Sequence, residues 1–231
     1  MKLSIVIPVF NEKNTISELL KKVEDVVLPG MEKEIIIIDD FSTDGTRELL
    51  KLMEGKYKIF YHEKNCGKGR ALRTGFAEAT GEVVVVQDAD LEYDPADFTS
   101  MLKAMRELNA PVVYGSRRLH RNYFEGRHSG HIFAIGGIFV TWATNLLFNT
   151  KITDEPTCYK MFRVDLLGSL NLECERFEFC PEVTAKIAKR GIKITEVPIN
   201  YYPRHKDEGK KLNWKDGIEA IWTLLKYRFK R

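Results

Sequence analysis

The segment from residue 81 to residue 95, GEVVVVQDADLEYDP, constrains the fold more than any other part of the chain. Valines 83–86 form an apolar run that is too short for most helices and is typical of a strand buried on both faces of a parallel sheet. Carboxylates then alternate over residues 88–94, and Pro95 suits the first turn of a helix. Ligands of open α/β sheets bind beyond the carboxyl ends of the strands, and hard oxygen ligands favour Mg²⁺ or Mn²⁺. The segment therefore predicts a divalent-metal site for a phosphorylated substrate, with an acidic solvated loop as the alternative.

Strand-like and helix-like segments alternate through the first half of the chain, which predicts a doubly wound, mostly parallel α/β sheet flanked by helices. Thr15 followed by Glu18 matches a capping box at the start of the first helix. With 231 residues, the chain is long enough for one large domain with a substantial core. The predicted strands are Leu3–Val9, Glu34–Asp39, Lys58–His62, Val83–Val86, Pro111–Ser116 and Lys193–Pro198.

Polar motifs follow three of these strands and should meet at one edge of the sheet. They are the segments 8–12, 39–40 and 88–90. An aspartate such as Asp39 can accept a hydrogen bond from a nucleobase, and the loop 67–69 could present backbone amides and one lysine to a phosphate or a base. That loop lacks the P-loop spacing, and no GxGxxG follows the first strand. The sequence therefore argues against a P-loop NTPase and against an NAD enzyme.

Basic residues are concentrated in three later segments, although the net charge is only +3. These segments, 117–127, 204–211 and 226–231, could bind phosphate, contact an anionic membrane or simply be solvated. Since arginine binds phosphate bidentately, the first of them suits a phosphate clamp. The histidines at 120, 128 and 131 could suggest zinc, but their spacing fits no closed set with a nearby cysteine or aspartate, so we expect them at the surface or facing a phosphate. The basic loops also lack interleaved aromatic residues, so nucleic-acid binding is not expected.

Two segments could contact a membrane. Residues 132–148 carry no charge and number about 17, which is at the lower limit for a transmembrane span. We expect a helix or a helix pair there, at the membrane interface or over the acceptor cleft, with a true span as the alternative. Residues 214–231 predict an amphipathic helix with tryptophans on one face and cations at its end. That helix could lie in the membrane interface or pack on the core.

The four cysteines form no CxxC pair, and no signal peptide precedes the first strand. We therefore expect a cytoplasmic protein with reduced thiols.

Four motifs in sequence, IVIPVFNEKNTI, IIIIDDFSTDGT, NCGKGRALRTG and VVVVQDADLEYDP, resemble the nucleotide-sugar half of family 2 glycosyltransferases with the GT-A fold. The resemblance implies a single domain over 1–231, in which 1–116 bind the nucleotide sugar, 117–213 form the acceptor half and 214–231 form the amphipathic helix. It implies nucleoside contacts from Pro8, Phe10, Glu12 and Asp39, and further donor contacts from Lys68, Gln87, Asp88, Ala89 and Asp90. It also implies a Mg²⁺ or Mn²⁺ ion on Asp88, Asp90 and Glu92.

Later segments resemble dolichol-phosphate mannose synthases and other polyprenyl-phosphate hexose synthases within that family. The similar segments are GSR at 115–117, residues 152–163, and EVPI at 196–199 followed by Arg204 and Lys210. Catalysis would then rest on Asp90, Arg117, Arg204 and Lys210, with the three basic residues binding the diphosphate or the lipid phosphate. Those synthases carry a glutamine at the third metal position, where this chain has Glu92. The extra negative charge leaves the sugar and the nucleotide open.

The resemblance implies inverting transfer of mannose or glucose from GDP-mannose or UDP-glucose to dolichyl or polyprenyl phosphate. The enzyme would be peripheral at the inner face of the membrane, with a small membrane protein as a candidate partner. A phosphomonoester needs no general base, because its second pKa lies near 6. One alternative is a hydroxyl acceptor, on a polysaccharide or a protein, with Asp154 as base; Asp154 could otherwise cap a helix or pair with Arg117 or Arg163. A non-catalytic nucleotide-sugar-binding subunit is a further alternative.

Overall fold

The computed structural model describes residues 1–119, 131–204 and 214–230, with the backbone alone for 131–134. Its strands are β1 (Lys2–Val9), β2 (Glu32–Asp39), β3 (Lys58–Tyr61), β4 (Val83–Val86), β5 (Val112–Ser116), β6 (Lys160–Arg163) and β7 (Thr195–Pro198). Its helices are α1 (Ile16–Asp25), α2 (Thr46–Lys51), α3 (Lys68–Glu78), α4 (Phe98–Glu107), α5 (His131–Phe148), α6 (Val164–Ser169), α7 (Phe179–Lys189) and α8 (Trp214–Phe229). Within the described residues, the strands form one seven-stranded sheet in the order β3-β2-β1-β4-β6-β5-β7.

Each face of the sheet carries its own apolar core. Ile5 and Ile7 of β1 lie in the core that α1 and α4 cover. Val6 of the same strand packs with Ile36 and Ile38 in the core that α3 and α7 cover. This alternation follows from the two-residue period of a strand. Because both faces are covered, the central strands are nearly continuous apolar runs, and this is the pattern that predicted them.

The parallel register brings the ends of the central strands to one edge of the sheet. β1 runs parallel to β2, with Val9 opposite Asp39, and parallel to β4, with Val6 opposite Val86. The predicted doubly wound, mostly parallel sheet is therefore confirmed. Pro95 begins a short 3₁₀ turn, and the Asp94 side chain caps it by accepting a hydrogen bond from the backbone N–H of Ala96.

The strand β6 was not predicted. It runs antiparallel between β4 and β5. Its sequence, KMFR, begins and ends with a basic residue, and the Lys160 side chain is nevertheless buried. A short run with charged ends gives little periodic signal, so its place in the sheet depends on pairing with partners distant in sequence.

The predicted capping box at the first helix is wrong. The Thr15 side chain makes no capping hydrogen bond to the start of α1. Its hydroxyl instead donates to a carboxylate oxygen of Glu12 over 2.8 Å. Glu18 pairs with Lys22 one turn further along the helix, at 3.1 Å. The hydroxyl of Thr15 therefore helps to orient a carboxylate at the end of β1 rather than closing the helix.

The two C-terminal helices pack against each other. Val140 and Ala143 of α5 form a small core with Leu224 of α8. The Tyr227 hydroxyl of α8 also donates to the buried Glu182 carboxylate, at 2.9 Å, which ties this helix to α7. The segment 132–148 thus lies within one helix, α5, rather than a helix pair. Among the described residues, no helix combines the length and the apolar character that a bilayer crossing requires.

Candidate active site

The lysine of the glycine-bearing loop lies directly beside the first aspartate of the DxD motif. The Lys68 ammonium donates to Asp88 Oδ1 and, over 3.0 Å, to the sulfur of Cys158. Burial alone would lower the pKa of Lys68, but the Asp88 carboxylate and the Cys158 sulfur outweigh it and raise that pKa. Lys68 is therefore a permanent cation at the carboxyl end of β4.

Close backbone packing explains why glycines flank this lysine. The N–H of Gly69 donates to the carbonyl of Arg176 over 2.9 Å. A Cβ added at Gly67, whose φ is +89°, would lie 2.5 Å from the carbonyl oxygen of Glu175. Only glycine readily combines this backbone conformation with so close a neighbour. The loop is thereby held against the segment before α7, and this contact fixes the start of α3 and the position of Lys68.

A second cation meets the carboxylates at the same edge. The guanidinium of Arg204 makes two hydrogen bonds to the Glu12 carboxylate, at 3.0 and 3.1 Å, and its Nη2 lies 3.3 Å from Asp90 Oδ2. Arg204 lies beyond β7, whereas Glu12 and Asp90 follow β1 and β4. The structure therefore brings together three residues that the sequence predicted for the site from three distant segments.

Glu92 connects this arginine to the DxD segment. Its two carboxylate oxygens accept hydrogen bonds from the backbone N–H of Arg204, at 2.8 Å, and from the hydroxyl of Tyr201, at 3.0 Å. Tyr201 also lies under the guanidinium of Arg117, whose Cζ is 5.0 Å from the centre of the ring. Sequence reasoning missed Tyr201, although its position just after a predicted strand was an available signal.

Arg117 is held by Asp154. The guanidinium donates to both carboxylate oxygens, at 2.7 and 2.8 Å, and the backbone N–H of Arg117 adds a third hydrogen bond. The Asp154 side chain is fully buried. Burial acts to raise the pKa of Asp154, but the Arg117 guanidinium outweighs it and lowers that pKa. Of the alternatives for Asp154, the structure thus shows the ion pair with Arg117.

The next residue, Glu155, is also fully buried. Neither of its carboxylate oxygens has a hydrogen-bond partner among the described residues. Burial raises the pKa of Glu155 to about 6, although the nearby Lys160 ammonium acts in the opposite direction. Glu155 was not singled out from the sequence, although the structure buries its carboxyl group completely.

The two aspartates at the end of β2 have different environments. Asp39 is fully buried, and its carboxylate accepts hydrogen bonds from Arg47, at 2.6 Å, and from the backbone N–H of Ser42. Asp40 accepts hydrogen bonds from the backbone N–H groups of Cys66, at 2.8 Å, and Gly67, at 2.7 Å. Asp39 lies at the predicted edge, and its contact with a nucleobase stays a prediction.

Asp40, His62 and Cys66 also form a cluster of metal-ligand types, with one ligand atom of each within 4.8 Å of the others. His62 Nδ1 lies 2.7 Å from Asp40, and its other ring nitrogen lies 3.0 Å from the Thr74 hydroxyl. Hydrogen bonds within the chain already engage Asp40 and both ring nitrogens of His62. The cluster therefore suits a structural role, in which Asp40 fixes the backbone of residues 66–67.

The remaining predicted donor-side residues differ in exposure. Gln87 is fully buried, and its side-chain oxygen accepts a hydrogen bond from the Tyr159 hydroxyl at 2.6 Å. Ala89 is nearly buried, whereas Pro8 and Phe10 are partly exposed at the end of β1. Direct contact with a donor therefore suits Pro8 and Phe10 better than the Gln87 side chain.

Asp88, Asp90 and Glu92 offer the oxygen donors that Mg²⁺ or Mn²⁺ prefers. Leu91, between them, has a φ of +62°, a conformation that is uncommon for a branched residue and is often found at functional sites. This turn lets Asp90 Oδ1 accept a hydrogen bond from the backbone N–H of Glu92 at 3.1 Å. The donor set fits a divalent cation, and each of the two aspartates also contacts a protein cation, Asp88 the Lys68 ammonium and Asp90 the Arg204 guanidinium.

Two packed helices near this basic edge, α5 and α8, each carry a row of exposed apolar side chains. We define the α5–α8 apolar face by its exposed side chains, which are Ile135, Ile138, Phe139, Trp142, Leu146, Trp214, Ile218, Trp222, Leu225 and Phe229. The helix α5 contacts the arginine segment, because Arg118 donates to the Thr141 hydroxyl at 3.3 Å. Large groups of exposed apolar side chains often mark interaction sites.

Several predicted residues lie outside the described residues. These are Lys210, the predicted third basic ligand, together with Arg127 and the histidines at 120 and 128. The side chain of His131 also lies outside them.

Comparison with known proteins gives relatives along the whole chain. A dolichol-phosphate mannosyltransferase of Pyrococcus furiosus is 28% identical over 98% of this chain, which spans 64% of that protein's length. An undecaprenyl-phosphate mannosyltransferase of Micrococcus luteus is 26% identical, and the match covers 99% of both chains. The fold is also similar to that of a solved structure, glucosyl-3-phosphoglycerate synthase from Mycobacterium tuberculosis with Mn²⁺, uridine diphosphate and phosphoglyceric acid. The two structures superpose with a TM-score of 0.72 at 20% identity, over 99% of this chain and 78% of the synthase chain.

The comparison of folds confirms the predicted GT-A architecture. The sequence model described as glycosyl transferase family 2 matches residues 4–170, which is well over half of the chain. The chain therefore belongs to glycosyl transferase family 2.

Proposed function

We propose that this protein transfers a hexose from a nucleotide diphosphate sugar to a polyprenyl phosphate, with inversion at the anomeric carbon. The observation that carries the proposal is the linked pair of arginines beside the DxD motif. Arg204 contacts Asp90 directly, and Arg117 lies over the ring of Tyr201, which shares Glu92 with the Arg204 backbone. Two guanidinium groups next to a donor site suit an acceptor that is itself a phosphate.

The donor would bind along the edge formed by the ends of β1, β2 and β4. Pro8, Phe10, Glu12 and Asp39 are the proposed nucleoside contacts, and Lys68 would balance charge on the diphosphate. Asp88 and Asp90, with Glu92 as the third proposed ligand, would hold Mg²⁺ or Mn²⁺. When bound, this ion would neutralise the charge that develops on the leaving nucleoside diphosphate.

The acceptor needs alignment rather than deprotonation. A phosphomonoester is largely dianionic at pH 7, so its oxygen can attack the anomeric carbon without transferring a proton. A bond forms between this oxygen and the sugar as the bond from the sugar to the nucleoside diphosphate breaks. Arg117, Arg204 and the proposed third ligand Lys210 would hold the two anions together, so catalysis would come mainly from positioning and electrostatic stabilisation.

We propose that the lipid reaches this site through the α5–α8 apolar face lying in the surface of a bilayer. Tryptophans on both helices suit the boundary between lipid and water. Lys226, Arg228 and Lys230 are exposed near the end of α8, where cations would be attracted to anionic lipids. Since α5 contacts the Arg117–Arg118 segment, this orientation would place the phosphate of a membrane-embedded lipid near the arginines.

The double variant Trp142→Ser, Trp222→Ser is expected to weaken binding to lipid vesicles by at least about tenfold, because two large apolar side chains no longer leave water. Co-sedimentation with vesicles that contain anionic lipid measures this loss. Leu52→Ser is the matched control, since Leu52 is 84% exposed but lies after α2. Unchanged vesicle binding by the double variant would show that another surface contacts the membrane.

A hydroxyl acceptor with Asp154 as base is the second candidate. Its support is that Asp154 belongs to the segment where the sequence predicted a base. Against it, Arg117 binds both oxygens of the buried Asp154 carboxylate and lowers its pKa, which opposes a role as proton acceptor. A non-catalytic binding subunit has less support, because the described residues keep both DxD aspartates and two of the predicted cations.

A transfer assay tests the proposed function. Labelled GDP-mannose and UDP-glucose are supplied with Mg²⁺ or Mn²⁺ and either a short polyprenyl phosphate or the matching free alcohol. We expect label only in the phosphate, and loss of most transfer in Arg204→Ala. Arg163→Ala is the matched control, because Arg163 is exposed at the end of β6 and, within the described part of the chain, its ion pair is with Asp165. Label in the free alcohol at the same rate would contradict a phosphate acceptor.

A further inference from the structure

The guanidinium of Arg204 is bound where the DxD motif would meet its cation. Arg204 Nη2 lies 3.0 Å from Glu12 Oε1 and 3.3 Å from Asp90 Oδ2. One nitrogen thus bridges a carboxylate at the end of β1 and the second aspartate of the motif. A divalent cation bound through the same Asp90 oxygen would be close to a permanent positive charge.

The main chain holds Arg204 at this place independently of its side chain. Glu92 accepts hydrogen bonds from the backbone N–H of Arg204, at 2.8 Å, and from the Tyr201 hydroxyl. The backbone carbonyl of Glu92 also accepts a hydrogen bond from the backbone N–H of Tyr202, at 2.8 Å. These hydrogen bonds hold residues 201–204 on Glu92. The Arg204 guanidinium can therefore move away from Asp90 while the Arg204 backbone stays in position.

The charged side chains of this site are mostly shielded from solvent. The side chains of Arg204, Asp90 and Glu12 are only 18%, 23% and 7% exposed, so solvent screens their interactions weakly. Like charges brought together in such an environment repel strongly. Binding of a metal ion to Asp90 therefore requires either that Arg204 leaves this oxygen or that the ion tolerates a nearby guanidinium.

We propose that Arg204 is an internal counter-cation that competes with the metal ion for Asp90. The inference rests on the proposed function in one respect, namely that Asp90 is a metal ligand. In the enzyme without donor, Arg204 neutralises Asp90 and weakens metal binding. The diphosphate of the donor then brings the negative charge that both cations can share, so the metal ion binds well only together with the nucleotide. The guanidinium, once displaced from Asp90, can then turn toward an anionic substrate.

Binding of Mn²⁺ alone, without nucleotide, tests this competition. Titration followed by the paramagnetic resonance signal of free Mn²⁺ gives the dissociation constant. Arg204→Met should bind Mn²⁺ about tenfold more tightly than the natural protein, because one nearby positive charge has gone. Arg204→Gln, which is neutral but polar, should also bind more tightly, whereas Arg204→Lys should stay close to the natural protein. Arg163→Met is the control for loss of one positive charge far from the site.

Two neutral variants are used in case one of them does not fold. Thermal unfolding of each variant shows whether it is folded. Equal or weaker Mn²⁺ binding by folded Arg204→Met and Arg204→Gln would overturn the inference.

Asp90→Asn separates this failure from a failure of the proposed function. If Asp90→Asn loses Mn²⁺ binding but the neutral Arg204 variants do not gain it, Asp90 remains a metal ligand and only the competition is wrong. If Asp90→Asn binds Mn²⁺ like the natural protein, the proposed metal site and the competition are both wrong. Tighter binding in the neutral Arg204 variants together with loss in Asp90→Asn would support both.

Discussion

Asp154→Ala is expected to lower the free energy of unfolding by about 3–5 kcal/mol, the usual cost of removing one partner from a buried ion pair. Arg117 donates three hydrogen bonds to the Asp154 carboxylate, two from its side chain and one from its backbone. Without Asp154, the largely buried guanidinium would lose its counter-charge. Denaturant unfolding at pH 7 measures the effect, with Asp165→Ala as the control, because Asp165 makes an exposed ion pair with Arg163.

The pH dependence of this difference has a definite sign. Arg117 lowers the pKa of Asp154 below its ordinary value in the folded state. The ion pair therefore contributes its full stability above the ordinary aspartate pKa of about 4 and loses it as the pH falls through the lower folded-state value. The stability difference between the natural protein and Asp154→Ala should shrink toward pH 2. A difference that is small at pH 7, or that grows in acid, would contradict the structural role of this pair.

Asp154→Asn separates the ion-pair role from the role of a general base. Asparagine keeps one side-chain acceptor for Arg117, so a structural Asp154 predicts reduced stability with turnover that falls in proportion to the folded fraction. A base predicts loss of turnover in folded protein that still binds the donor. The first result would support a phosphate acceptor, and the second would favour the hydroxyl-acceptor candidate.

Asp90→Asn is expected to reduce kcat/KM for hexose transfer by about a thousandfold, which corresponds to roughly 4 kcal/mol of transition-state stabilisation. The substitution removes one proposed metal ligand charge and also one partner of Arg204, which lies 3.3 Å away. Steady-state kinetics with saturating Mg²⁺ or Mn²⁺ measure the loss.

The control for Asp90→Asn is Asp94→Asn, the same chemical change four residues along the chain. Asp94 caps the 3₁₀ turn by accepting a hydrogen bond from the backbone N–H of Ala96 at 3.0 Å. Asparagine is an equally good residue at such a cap, so Asp94→Asn should keep most of the activity. A loss of less than about tenfold in Asp90→Asn would contradict its assignment as a metal ligand.

The parallel part of the sheet could be predicted from the sequence because its signal is local. The valines of β4 and the isoleucines of β2 are apolar runs, and polar residues directly follow both strands. Parallel strands place their carboxyl ends at one edge, so the meeting of the Glu12, Asp39 and Asp88 segments followed from topology alone.

The connections across the site could not be predicted, because they join residues far apart in sequence. The ion pair of Arg204 with Glu12 spans 192 residues, and the hydrogen bond of Lys68 with Cys158 spans 90. The error at Thr15 has a different, local origin, because its hydroxyl donates to Glu12, three residues earlier, instead of capping the helix. The sequence also left several roles open for Asp154, and only the buried contact with Arg117 in the structure distinguishes among them.

Phosphorus NMR of the acceptor during the reaction shows directly whether a phosphate oxygen attacks the sugar. A short polyprenyl phosphate is incubated with the donor, Mg²⁺ and the enzyme. We expect that the monoester resonance of the lipid is replaced by a phosphodiester resonance as the nucleoside diphosphate appears, and that this change is about a thousandfold slower with Asp90→Asn. Release of nucleoside diphosphate and sugar transfer to a hydroxyl, with the lipid monoester resonance unchanged, would contradict this expectation.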